Sequence, residues 1–402
     1  MKELCNLFIR VVLSFSLIFT PSFANLPPIT PDGQTNTTTD VSSEHNIPVV
    51  NIAKPSDGGV SYNTYTNFNV DANGIIINNS TQIGTTNLGG QLYANPNFGT
   101  GNAADIILNE VTTNSTSTLL GPTEIFGKTA EFILANPNGI TCNGCGFINT
   151  SRLGLITGTP HLDSNGNIQN FTMPNGTGFV KLIGDSANQL IALNASNVDY
   201  VDIISNVVEI TGKVYANKEL NIKTGNQNYD YATRQVSSNS TNLAGQISID
   251  ARNFGAMQAG KIELVASQLG VGVNLDLGII QASTGDLVIT ADGNLVSSSS
   301  LQAAGNAQIS VNKLENLGDI IAGNNANITS LTTVDNQGAI SANNDLSLTA
   351  QGDVTNSGSL VGVNNLSLQS QNDVINSGTI QSGGDLTITN TNNLVTQVRL
   401  SL

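Results

Sequence analysis

Along the last quarter of the chain, apolar positions fall at every second residue, and the whole pattern returns every 20 residues. Asn316, Asn336, Asn356 and Asn376 mark the stride. Gly318, Gly338, Gly358 and Gly378 follow each asparagine by two residues, and Ile320, Ile340, Leu360 and Ile380 follow each glycine. A further column holds Ile328, Leu348, Leu368 and Ile388, and another holds Val334, Val354, Val374 and Leu394. Alternation by two places side chains on opposite faces of a strand, whereas a helix would space them by three and four. Units that repeat at this period cannot bury their apolar residues alone and must stack on their neighbours.

Between the alternating segments lie Asn-Asn, Gly-Asn, Ser-Gly and Gly-Gly pairs, residues that close tight corners at low steric cost. A coil of this length has room for three short strands and three turns, and stacking coils turns every strand into a parallel ladder. The pattern predicts an all-β fold: a right-handed parallel β-helix (solenoid) with extra-helical hairpins or loops in the N-terminal domain. Each repeating Asn should stack on its copies, its amide donating to one neighbour and accepting from the other. The Leu-x-x-Leu-x-Leu-x-x-Asn signature of a leucine-rich-repeat horseshoe is missing. Apolar alternation breaks at 161–177, which contains Asn165-Gly166 and Pro174-Asn175-Gly176, and again at Asn226 to Asn242. Both segments read as excursions from the coil. Uniform coiling from residue 45 onward would give at most roughly 18 turns and about 85 Å at the parallel-strand spacing.

The remainder of the chain divides around this rod. Residues 1–24 read as a secretory signal peptide: Lys2 and Arg10 flank the start, Val11 to Phe19 are largely apolar, and Ser22-Phe23-Ala24 carries small residues where a peptidase reads them. The apolar stretch is too short, and too soon followed by Pro21, for a membrane-spanning anchor. Residues 25–44, with Pro27, Pro28 and Pro31 ahead of a Thr/Ser-rich run, read as a flexible lead-in with little to bury. A domain over 45–290 and repeats over 291–402 complete the division.

Composition narrows the function. Only 11% of the residues are charged, there are 40 Gly and no Trp, and the formal net charge is −15. Hydrophobic residues make up 39%, which with the apolar columns argues against disorder. Without a Lys/Arg cluster in the mature part, binding to nucleic acid through its phosphates is disfavoured. Carboxylates are scattered, and Asp345 and Asp385 share a corner column with Asn325 and Asn365. Sugar cleavage on a β-helix would need clustered carboxylates, with calcium in the lyases or as a close acid/base pair in the hydrolases. The sequence therefore predicts no enzyme, no cofactor, no metal and no small-molecule substrate.

Cys142 and Cys145, in Thr141-Cys142-Asn143-Gly144-Cys145-Gly146, are the only cysteines after Cys5. An oxidising compartment and a turn-forming Asn143-Gly144 favour a disulfide, worth about 2 kcal/mol for so small a loop. Zinc would need two more ligands, and His45 and His161 lack ligand-like spacing. A redox-active pair would want a strand-to-helix setting.

Two Asn-Pro-Asn segments stand out: Asn95-Pro96-Asn97-Phe98 and Asn136-Pro137-Asn138-Gly139-Ile140. Proline presets φ at a first corner position and Asn-Gly accepts a left-handed conformation next, so composition alone makes the second a turn. With Ala130 to Ala135 ahead of it, Phe147-Ile148-Asn149-Thr150-Ser151-Arg152 after it, and Gly255-Ala256-Met257-Gln258-Ala259-Gly260 further on, the chain from about Val49 to about Asp286 resembles the secretion domain of two-partner-secretion exoproteins. That group includes filamentous haemagglutinin, large haemolysins and contact-dependent growth-inhibition proteins. Phe98 stands where the family's first motif usually has Leu.

The resemblance implies a partner: an outer-membrane β-barrel transporter whose periplasmic POTRA domains recognise the secretion domain after Sec export from a Gram-negative cell. It makes the two Asn-Pro-Asn segments part of an export motif, acting either through the shape of the fold or by touching the partner. It implies a secreted or cell-surface protein whose rod serves adhesion or haemagglutination towards a receptor on a host or neighbouring cell. The alternative is the shortened delivery stick of a growth-inhibition toxin.

Overall fold

The computed structural model describes residues 28–396 and 400–401, apart from 174–177, 186–189, 226, 239–244, 253–254 and 277. Residues 1–24, read as a signal peptide, lie outside the described residues. The described chain is all β except for one 3-10 turn at Pro96–Phe98, and it winds into a parallel β-helix of about 13 turns.

A regular coil has three strands, as in Ala339–Ala342, Leu346–Ala350 and Val354–Asn356. The next coil repeats them as Ser359–Gly362, Leu366–Ser370 and Val374–Asn376, with Ile340 facing Leu360, Leu348 facing Leu368 and Val354 facing Val374. Alternation decides what enters the core: Ile340, Leu346, Leu348 and Val354 point inward and are at most 1% exposed. Each such side chain contributes roughly 1.5–3 kcal/mol of burial. Stacking is what makes that burial complete.

Inside the corner that follows the Val-x-Asn strand, the asparagines form the expected ladder. Asn316 donates to Asn336 at 2.8 Å, Asn336 to Asn356 at 2.7 Å and Asn356 to Asn376 at 2.7 Å. The Nδ2 groups of Asn316 and Asn336 also bond the carbonyls of Gly318 and Gly338 two residues on, at 3.0 and 3.2 Å. The glycine column answers to close approach of backbone to backbone, because a Cβ on Gly338 would stand 1.8 Å from the Gly318 oxygen.

The N-terminal coils depart from this regularity. Ile75 pairs with Thr123, Cys145 with Leu193 and Lys213 with Ala256, so each of these coils consumes more than twice the 20 residues of a regular one. That is why the rod has about 13 turns and not the upper figure of 18. The first long coil carries an antiparallel hairpin, Gly84–Thr86 with Gly90–Leu92. The other two carry the excursions read from the sequence: Thr159–Leu162 with Ile168–Thr172, and Gln227–Asp230 with Val236–Ser238. These four strands join into one antiparallel sheet lying outside the coil.

That sheet covers a second core. Val60, Leu108, Ile133 and Ile156 point outward from the coil and meet Ile168, Phe171, Met173, Tyr229 and Tyr231. Phe171 and Leu108 are fully buried there.

Residues 28–44 are ordered, which corrects the expectation of a flexible lead-in. Thr30–Pro31 pairs antiparallel with Val60–Asn67, and Thr38–Val41 pairs antiparallel with Pro48–Asn51. Order here comes from side-chain bonds to the coil. Asp32 accepts from Thr64 at 2.6 Å and from Thr112 at 2.8 Å, and Thr37 donates to Asn63 at 2.7 Å. The antiparallel strand 38–41 lies along the outer side of the first parallel strand, 48–51, and so covers an edge that would otherwise offer unpaired backbone groups.

Candidate functional site

The two Asn-Pro-Asn segments occupy different corners of the coil. The first lies between the strands Ile75–Asn79 and Ile106–Val111, the second between Ala130–Ala135 and Ile140–Cys142. Both build the same device. Asn95 Oδ1 accepts from the Asn97 backbone N–H at 2.9 Å, and Asn136 Oδ1 accepts from the Asn138 backbone N–H at 3.0 Å. Proline between the two asparagines presets φ for this side-chain-closed turn.

The amides then tie neighbouring chain together. Asn95 Nδ2 donates to the carbonyls of Ile52 and Asn78, at 2.9 and 2.8 Å, and Asn97 Nδ2 donates to the carbonyl of Asn51 at 2.8 Å. Asn136 Nδ2 donates to the Ser115 carbonyl at 3.0 Å and to Ser117 Oγ at 2.9 Å, while Asn138 Nδ2 donates to the Thr113 carbonyl at 2.7 Å. Asn95 and Asn136 are buried, so these bonds satisfy amides that water does not reach and tie the corners to neighbouring chain. Phe98 and Ile140 enter the main core, Phe98 at 2% exposure filling the apolar position that Leu usually holds. Gly139 takes φ +122°, and a Cβ there would press on the Phe179 ring at 2.5 Å. Pro96 is the exposed member of the first motif, and Pro137 and Asn138 are half-buried.

Cys142 and Cys145 follow directly and are joined through their sulfurs across a corner, with Cα atoms 5.5 Å apart and Gly144 at φ +76°. Both are buried, so the bond braces the corner from inside the core.

Sequence reading missed a charged network where the outer sheet meets the coil. Arg152 donates to Asp202 at 2.7 Å; Asp202 is 5% exposed and accepts also from Asn221 at 2.9 Å. From the excursion, Arg234 comes within 3.5 Å of Asp202 and 3.7 Å of Glu131, and the Tyr231 hydroxyl donates to Glu131. Lys223 donates to the Arg234 carbonyl at 3.1 Å. Arg234 also lies over the Tyr231 ring at 4.2 Å and takes φ +60°, a conformation that the surrounding bonds hold in place. Burial pushes the Tyr229 hydroxyl up to about 12, with the Asp202 charge acting in the same direction. A signal was present in the sequence: Phe132-Ile133-Leu134-Ala135 is apolar at consecutive positions, which marks a strand buried on both faces.

Comparison with known proteins places this capped parallel β-helix among secretion domains. The family profile of the TPS (two-partner secretion) secretion domain matches residues 28–297. The fold resembles the crystal structure of the filamentous hemagglutinin secretion domain, with a TM-score of 0.54 and 25% identity over 93% of this chain and 100% of that one. The chain is 40% identical over 308 residues to the 16S rRNA endonuclease CdiA of Enterobacter cloacae, covering 76% of this chain and 9% of the relative. It is 40% identical over 283 residues to the toxin CdiA of Yersinia pestis, covering 69% of this chain and 8% of the relative.

The chain belongs to the two-partner-secretion family and carries its N-terminal secretion domain. Membership implies a cognate outer-membrane transporter and a secreted exoprotein of a Gram-negative bacterium. Since the chain spans under a tenth of these relatives, the nuclease and toxin in their names describe proteins far longer than the matched region.

Proposed function

We propose that residues 28–297 address the chain to its outer-membrane transporter, and that the Asn-Pro-Asn segments serve this by setting corners and register without touching the partner. The observation that carries this reading is the fate of the asparagine amides: all four are spent on carbonyls or a hydroxyl of this same chain. The route begins with Sec export directed by residues 1–24 and recognition by periplasmic POTRA domains. Winding then proceeds outside the cell, each new coil laying its strands on the previous one, so that folding discourages return without nucleotide hydrolysis.

The rod presents its outer faces to a host or neighbouring cell as an adhesive surface. A second reading is favoured by the likeness to CdiA proteins: the chain is then the first part of the stick that carries a growth-inhibition toxin to a neighbouring cell.

Removal of residues 28–297, with the signal segment kept, tests the proposal in cells that hold the cognate transporter. The shortened chain should stay in the periplasm. Undiminished release into the medium would overturn the assignment. Binding of the released wild-type chain to erythrocytes or epithelial cells, against binding only to bacterial neighbours, separates the adhesive reading from the delivery reading.

A further inference from the structure

The bond between Cys142 and Cys145 sits where no second protein can reach it once the coils are closed. Cys142 ends the strand Ile140–Cys142, which pairs with Ser117–Leu119 on one side and Phe179–Leu182 on the other. Cys145 begins the strand Cys145–Ile148, which pairs with Pro122–Gly127 on one side and Ile191–Ala195 on the other. Both side chains point into the main core and are at most 1% exposed. The turn between them is held as well: Asn143 N–H donates to the Leu119 carbonyl at 2.9 Å, and Gly144 N–H donates to the Ala192 carbonyl at 3.0 Å.

Making the bond takes an oxidant. Two thiols become one disulfide, and two electrons and two protons pass to the disulfide of a second protein, which ends as a dithiol. One cysteine thiolate attacks a sulfur of that disulfide to give a mixed disulfide, and the other cysteine then displaces the oxidant. Each step brings a sulfur of this chain into contact with the second protein, so access decides when it can happen. Part of the cover over these sulfurs comes from residues that follow them in the chain. Leu182 stands beside Cys142, and Leu193 stands beside Cys145. Access therefore ends when residues 179–195 are laid on the coil.

We infer that Cys142 and Cys145 are joined in the periplasm, by a disulfide-bearing thiol oxidase acting on the unwound chain, and that winding then seals the bond. This rests on the proposed route, in which the coil forms outside the cell. The spacing suits that order. Only Asn143 and Gly144 lie between the two cysteines, so the bond ties no distant parts of the chain together, and an extended chain that carries it can still be threaded through a pore. Gly144 takes φ +76°, so the turn that brings the two sulfurs together is local and needs no strand neighbour.

Two measurements test this, and both read one peptide. Trypsin cuts after Lys128 and Arg152, and residues 129–152 hold both cysteines and no third, so the mass after alkylation gives their state. In cells without the transporter, the full chain with its signal segment is kept in the periplasm, quenched with acid and alkylated. The peptide should be bonded. In cells that also lack the periplasmic oxidase, it should carry two alkylated thiols. Free thiols with the oxidase present, or a bonded peptide without it, would overturn the inference. Release from cells that do hold the transporter is scored separately: its failure would tell against the secretion reading and leave the periplasmic result standing.

The second measurement tests the seal. The released wild-type chain is reduced in urea, returned to buffer without urea and offered oxidised glutathione, beside a sample kept in urea. The wound chain should form the bond at least about a hundredfold more slowly, because oxidation then waits on local opening of the coil. Equal rates would refute the seal, and with it the need for oxidation to come first. A reduced chain that stays unwound, read by circular dichroism, would make the bond a condition of winding and so uphold the same order.

Discussion

Asn138 reaches back one coil to Thr113, its side-chain amide donating to the Thr113 carbonyl at 2.7 Å. Asn97 does the same to Asn51 at 2.8 Å, so both motifs bind the coil being built to the coil already laid. Replacing either asparagine by Ala should lower stability by about 1 kcal/mol, the net worth of a hydrogen bond lost between two coils. Urea denaturation of Asn97→Ala and Asn138→Ala would measure this, and secretion should fall in step with stability. Pro96→Ala, at an exposed position, should change stability by less than either.

The glycine column makes a sharper prediction. Gly338→Ala places a methyl group where the Gly318 carbonyl oxygen stands, so the two coils must separate or shift. The expected loss is about 1–3 kcal/mol, as for other overpacked sites. The midpoint of thermal unfolding, compared with that of Ser357→Ala at the neighbouring exposed corner position, would report it.

Arg152 and Asp202 form the most deeply placed ion pair at the seam of outer sheet and coil. Arg152→Met should cost about 3–5 kcal/mol by leaving the Asp202 carboxylate short of a partner, more than the loss of an exposed pair such as Lys218 with Asp199. Removal of both charges in Arg152→Met with Asp202→Leu should recover part of the loss. A double-mutant cycle in urea would show the coupling.

Glu110 gives a pH signature of definite sign. Burial raises its carboxyl above the usual carboxylate range; the hydroxyl of Tyr62, donating to it, pulls the other way, and the Asp32 charge adds to the rise. A raised folded-state value means that the folded form favours the proton. Its contribution is full below the ordinary carboxylate range and is lost as pH rises through the raised value towards neutrality. Glu110→Gln should therefore be more stable than wild type near pH 7, with the difference closing as pH falls towards 4. Asp32, held low despite burial by bonds from Thr64, Gln34 and Thr112, has the opposite sign but is common to both proteins. Denaturation midpoints across this pH range would check the difference.

Much of this architecture is legible in the amino-acid sequence. The columns from Asn316 onward gave the coil, its strands and the ladder, because each regular repeat is a local sentence whose apolar residues all face one way. Asn165-Gly166 and the Ser/Asn run near residue 240 marked the excursions, because turn residues interrupt alternation wherever they occur. The lead-in was misread for a physical reason. Pro28 to Ser43 shows no alternation, and its order depends on partners such as Thr64 and Thr112 that are remote in sequence. The seam network was equally hidden: Glu131, Arg152, Asp202 and Arg234 come from four separate strands or turns, and only the finished coil brings them together. The paired corners were visible as turns, but the carbonyls they serve were not.

The constant stride of the C-terminal coils turns residue count into distance. Each 20 residues advance the molecule by one strand spacing, about 4.8 Å, while the cross-section stays the same. Duplicating or excising one whole repeat should therefore lengthen or shorten the rod by one graduation and leave its surface chemistry in phase. A change of one or two residues inside a strand would instead turn the apolar set outward. Reach from the cell can then be altered by recombination in whole units, as on a ruler cut at its marks.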